Sequence, residues 1–166
     1  MIIGAIAAFA VTVTTSSYLL GLVAAALAGA LMAGLFGVLT QVLLSNQVAT
    51  GLALTMFGLG LSALIGQGFA GRSAGTFPHL YLPLLSDLPG IGKLLFSLDP
   101  LVYLSLALVA GVAWFLNTRS GLIMRAVGEN HDAAHAIGYS VVTIRLLALL
   151  FGGACSGLGG AYLSIV

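Results

Sequence analysis

The sequence predicts an all-α fold, a polytopic membrane helical bundle with about five transmembrane segments. Charge and run length carry this prediction. The chain has five basic and four acidic side chains in 166 residues and is 60% hydrophobic, whereas a soluble domain carries about 25% charged residues. Its apolar runs last about 17–25 residues, enough to cross ~30 Å of hydrocarbon at 1.5 Å per residue. The alternating strands of an outer-membrane barrel, about ten residues each, are absent. Twenty-three glycines suit membrane helices, whose backbones approach closely where side chains are small.

The first segment is expected over about residues 1–16, joined to the second by a tight connection at TSSY. It enters without a basic leader region, so no cleavable signal peptide is expected. The second, about 19–44, places Gly21, Ala25, Gly29, Ala33 and Gly37 at four-residue spacing, with Ala26, Ala30 and Gly34 in a row beside them. Residues at i and i+4 share a helix face; this one is either a packing face or, less simply, a pore lining. The third segment, about 47–68, starts where Ser45 or Asn46 can cap it and carries Thr50, Thr55 and Ser62 among Gly51, Gly58 and Gly60. A helix this rich in glycine is easily bent or interrupted, and interrupted helices frame transporter sites. The plainer alternative is that its hydroxyls bond back to their own helix.

Residues 69–98 form the longest polar connection, and Pro78, Pro83 and Pro89 exclude one continuous helix there. Its GIGKL stretch is no phosphate loop, since Asp87 stands where the first glycine of that motif belongs and Leu94 follows Lys93. The fourth segment, about 99–117, is started by Asp99 and Pro100. The fifth begins near 143 and carries Gly153, Gly157 and Ala161 in another small-residue row. Cys155 lies in that apolar run and reads as a small buried residue, not a disulfide or metal partner. Because the sequence is still apolar at Val166, the chain is expected to be part of one larger transmembrane domain, truncated at the C-terminus and possibly at the N-terminus.

The most polar stretch lies between the fourth and fifth segments. Arg119, Arg125 and Arg145 flank it, against Arg72 and Lys93 elsewhere, so the positive-inside tendency places 118–145 in the cytoplasm. Within it, ENHDAAHAIGYS reads as a short helix. Asn130 caps the start, Asp132 sits in the first turn where the helix dipole favours an anion, and Gly138 suits a left-handed C-terminal position. Ala133, Ala134 and Ile137 give it a small apolar face, suited to docking in a partner's groove. A plain solvated loop is the alternative. His131 and His135 are spaced to share a metal, but a site needs a third ligand, and no metal or other cofactor is expected. No nucleophile and base can be paired, so no catalytic residue is assigned, and the net charge of +1 gives no reason to expect nucleic acid.

The stretch MRAVGENHDAAHAIGYSV resembles the cytoplasmic loop of permease subunits of bacterial ABC importers, the family that includes sugar, nucleoside and branched-chain amino acid permeases. Arg125, Ala126, Gly128, Glu129, Asn130, Ala133, Ala134 and Gly138 carry the resemblance; His131 departs from it, where relatives have proline. The upstream NQVATGLALTMFGLGLSALIG is similar to the simple-sugar and nucleoside branch. The resemblance covers essentially the whole chain and implies a subunit of the bacterial inner membrane. It also implies that Arg125, Gly128, Glu129, Asn130, Ala133, Ala134 and Gly138 couple it to a cytoplasmic ATP-binding subunit. The other implied partners are a second permease subunit, like or unlike the first, and an extracytoplasmic substrate-binding protein docking over residues 69–98; membrane lipid surrounds the spans.

The polar groups inside the spans are the natural substrate candidates, since burying them in lipid is costly. Asn46, Gln47, Thr50 and Thr55 are the first of them to consider. The acids all fall in loops or at span ends, which favours a neutral solute, a nucleoside or simple sugar, over an ion. The alternatives are a branched-chain amino acid permease of the same family, an ATP-independent secondary transporter, or a structural membrane subunit.

Overall fold

A computed structural model of the chain describes residues 1–71 and 100–165, with the side chains of residues 100, 101 and 131–133 left aside. The expectations for the 69–98 connection therefore lie, beyond residue 71, outside the described residues, as does the Asp99 cap. Seven α-helices occur among the described residues: α1 (Ile2–Thr15), α2 (Tyr18–Gly37), α3 (Gln47–Gln67), α4 (Pro100–Leu116), α5 (Arg119–Glu129), α6 (His131–Ala136) and α7 (Val141–Ile165). A π-helical turn, Val38–Val42, extends α2. The chain divides into two compact units, Met1–Thr76 with Asn130–Val166, and Phe77–Glu129.

The first unit is organised by glycine and alanine. Gly21, Ala25, Gly29 and Gly37 are buried along one face of α2, while Leu27, Leu31 and Leu35 on the opposite face are exposed. Small residues inside and bulky ones outside is the arrangement expected where lipid, as apolar as leucine, offers no reason to bury large side chains and helices associate by close contact. The α2 row meets the row on α7. A Cβ on Gly157 would overlap the Ala25 carbonyl oxygen, and one on Gly153 would lie 2.6 Å from the Gly29 carbonyl oxygen. The face is thus a packing face.

Antiparallel order follows from these pairs. Gly37, late in α2, lies against Leu146 and Leu149, early in α7, while Gly157 meets Ala25. α1 joins the same seam, with Gly4 against Gly157 and Ala8 and Thr12 against Gly21. Ser16, in the left-handed region at φ 53°, makes the tight connection to α2. α3 runs alongside α1, with Gly58 near Ile3, Gly66 near Ile6, and Phe69 edge-on to Phe9 at 6.4 Å between ring centroids. One end of this bundle therefore carries the α2–α3 junction, α6 and the start of α7. The other carries the α1–α2 junction and the end of α3.

α2 with its π turn, α3 and α7 are long and apolar enough to cross a membrane, while α1 is a shorter apolar helix of 14 residues. The second unit differs from the expected fourth span followed by a loop. α4 ends at Leu116, and α5 turns away from it by 78°, so the pair is a broken span or a re-entrant element. Thr118 makes the bend: its hydroxyl donates to the Phe115 carbonyl at 2.6 Å and accepts from the Gly121 amide at 3.4 Å, capping α5. Gly121 is required, because a Cβ there would run into the Phe115 carbonyl and the Leu116 backbone.

α3 follows the plainer of its two readings, the Thr50 and Thr55 hydroxyls bonding back to the Asn46 and Gly51 carbonyls at 2.8 Å. Despite its glycines it is one unbroken helix of 21 residues, since in lipid a backbone group released from the helix finds no water to replace its partner. The irregularity sits one element earlier. The Leu43 amide donates to the Val38 carbonyl at 3.1 Å, five residues back, and Leu44 follows in the left-handed region at φ 51°.

Candidate functional site

A cavity of about 350 Å³ opens within the first unit, walled by the N-terminal residues of α1, by α2 from Gly29 to Phe36, by α3 from Gly51 to Gly58, and by Gly153 and Ser156 of α7. Glycines line it from three helices, Gly29 on α2, Gly51 and Gly58 on α3, and Gly153 on α7. Met32, Phe36 and Leu54 give it an apolar wall, while Thr55 and Ser156 supply the hydroxyls. No lining side chain is charged. The size falls at the lower end of small-molecule sites, about 300–1,000 Å³, which combine apolar walls with a few polar groups.

Of the four expected substrate residues, only Thr55 lines this cavity. Its hydroxyl donates to the Gly51 carbonyl at 2.8 Å, so its oxygen keeps acceptor capacity for a ligand O–H or N–H. Asn46 serves the helix instead, its side chain accepting from the Val48 and Ala49 amides at 3.0 and 3.3 Å. Thr50 donates to the Asn46 carbonyl at 2.8 Å and pairs with the Ser45 hydroxyl at 3.0 Å. Gln47 is the exposed first residue of α3. Thr55 lies eight residues further along, about 12 Å deeper.

Ser156 is the polar residue that sequence reasoning missed. It was hidden in a run of small residues, where it reads as packing; its position between Gly153 and Gly157, both now seen at the seam, was the available signal. Cys155 beside it is a free thiol and only half-buried.

The polar stretch is more helical than a loop. Arg125, Gly128 and Glu129 are exposed on α5. Asn130 precedes α6, its carbonyl accepting from the Ala134 amide at 3.2 Å. α6 has six residues, and Gly138 stands beyond it at φ 96°. The Gly138 amide donates to His135 and the Tyr139 amide to Ala134, at 2.9 and 3.1 Å, which is the paired bonding of a Schellman end. The expected apolar face is divided: Ala134 is buried, while Ile137, past the helix end, is 76% exposed. Ala133 and His131 have no described side chain. Among the described residues no group of three metal-ligating side chains occurs.

Fold and cavity together define a multi-pass helical membrane protein with an uncharged, hydroxyl-bearing pocket between its helices. The chain belongs to the family described as branched-chain amino acid transport system / permease component, which residues 1–165 match. It is 37% identical over 99% of its length to TsgC13 of Haloferax volcanii, a permease protein with a provisional glucose ABC transporter name, and covers 52% of that protein. It is 32% identical to the nucleoside ABC transporter permease protein NupC of Lactococcus lactis, over 97% of this chain and 55% of that one. It is 31% identical to the guanosine ABC transporter permease protein NupQ of Bacillus subtilis, over 85% of this chain and 46% of that one. The chain thus spans about half the length of these relatives. No solved structure matches it at a significant level.

Proposed function

We propose that the chain is part of the transmembrane subunit of an ABC importer that passes a nucleoside or simple sugar across the membrane. The observation that carries this is the cavity. It is bounded by apolar helices, has no charged lining side chain and offers the Thr55 and Ser156 hydroxyls, the chemistry that suits a neutral, hydroxyl-rich solute. A branched-chain amino acid would bring two charges, for which no lining side chain provides a counter-charge. The relatives named for glucose, nucleosides and guanosine support the same reading.

In this reading the protein hydrolyses nothing itself. A cytoplasmic ATP-binding subunit supplies the work, a second permease subunit completes the pathway, and an extracytoplasmic binding protein delivers the solute. Residues 118–145 lie in the cytoplasm, and Arg125, Gly128, Glu129, Asn130, Ala133, Ala134 and Gly138 form or shape the docking segment, with exposed Ile137 available to a groove. α7 follows α6 directly and packs on the end of α2. Movement of a docked α6 therefore has a short mechanical route into the cavity wall.

Glu129→Lys in the full-length subunit tests the docking. The charge reversal falls on an exposed position, so folding is expected to survive. Co-purification with the ATP-binding subunit and solute uptake should both be lost. Survival of both at wild-type levels rejects the docking role.

A further inference from the structure

We propose that Phe36 is the gate at the α6 end of the cavity. The inference rests on the preceding reading of the cavity as the solute path and adds the residue that closes it. Among the α2 residues that line the cavity, Phe36 is the one nearest the π turn, and on α3 Gly51 is the lining residue nearest that same end. A Cβ on Gly51 would lie 3.8 Å from Phe36 Cε2. The ring therefore reaches across to the bare backbone of the facing helix, with ordinary van der Waals space between them.

The backbone around Phe36 connects this ring to α6. Gly37, the next residue, packs on Leu146 and Leu149 of α7 at 3.1 Å from each as measured from an added Cβ, and α7 begins five residues after α6 ends. The π turn starts at Val38. The Phe36 carbonyl accepts the Thr40 hydroxyl at 2.8 Å, a bond that joins the gate residue to that turn. π turns are local irregularities concentrated at functional sites, and helices bend where the ladder is interrupted in this way. A shift of the first turns of α7 along α2 reaches Gly37 first, and the flexure it causes at the π turn rotates the Phe36 ring away from Gly51.

The test is thiol accessibility. T55C is introduced into the full-length subunit with Cys155 changed to serine, and inside-out vesicles are treated with a membrane-impermeant maleimide. A gate whose open state is populated at about 10% or less slows labelling of position 55, so F36A should label about tenfold faster or more. F36L, which keeps most of the bulk, should stay close to the parent. G51A leaves Phe36 in place and adds a methyl against its ring, so it should slow labelling further. Equal rates with and without F36A overturn the gate. An absence of labelling from either membrane face, in every variant, overturns the reading of the cavity as a solute path and the gate with it.

Discussion

Thr55 and Asn46 occupy the same helix and do different work. The Thr55 hydroxyl donates to the Gly51 carbonyl and keeps acceptor capacity in the cavity lining, whereas the Asn46 carboxamide is engaged with two amides of its own helix. A neutral hydrogen bond contributes about 0.5–1.5 kcal/mol net, so T55V should raise KM for uptake about 2- to 10-fold with little change in kcat. N46A should leave KM unchanged and lower stability by about 0.5–2 kcal/mol, the usual loss of a cap, seen as a lower Tm in detergent. A KM effect from N46A and none from T55V would reverse these assignments. The cap at Asn46 and the left-handed Gly138 were legible in the sequence because each is a local event governed by neighbouring residues. The place of Ser156 in the cavity lining was not, because it depends on which helices meet at α7.

Helix against helix, the governing interaction is close backbone contact. The spacing of Gly21, Ala25 and Gly29 announced a face, and that of Gly153 and Gly157 another, but no spacing states that the two faces meet each other. Gly157 and Gly60 make the contrast measurable. A Cβ at Gly157 would strike the Ala25 carbonyl and lie 3.3 Å from Gly29 Cα, whereas one at Gly60 would meet nothing within 4 Å. G157A should therefore destabilise by about 1–3 kcal/mol, the usual range for overpacking, while G60A should be neutral or slightly stabilising because alanine favours the helix. Thermal unfolding of the two variants in one detergent checks both. The π turn at Val38–Val42 was not foreseeable, since Val, Leu, Thr and Gln are ordinary helix residues. It arises from the junction that follows, where left-handed Leu44 and the Ser45 hydroxyl, bonded to the Leu39 carbonyl at 2.6 Å, turn the chain back into α3.

At the scale of the molecule, hydropathy located the five apolar segments because lipid imposes length and composition directly on sequence. It overstated their uniformity: three are long enough to cross alone, α1 is short, and α4 is broken from α5. The cavity could not be read in advance, being a space between elements distant in the chain. The polar segment was read from local pattern and resemblance together, and its helical form agrees with both.

We propose that this membrane subunit moves a neutral solute using ATP hydrolysed elsewhere. The most direct measurement is uptake of a labelled nucleoside or simple sugar into proteoliposomes holding the full-length permease and its ATP-binding subunit, with the binding protein present on the side from which solute is delivered. Uptake that requires hydrolysable ATP and stops with a non-hydrolysable analogue is the predicted result. Uptake that proceeds without ATP and follows an imposed proton or sodium gradient would contradict it.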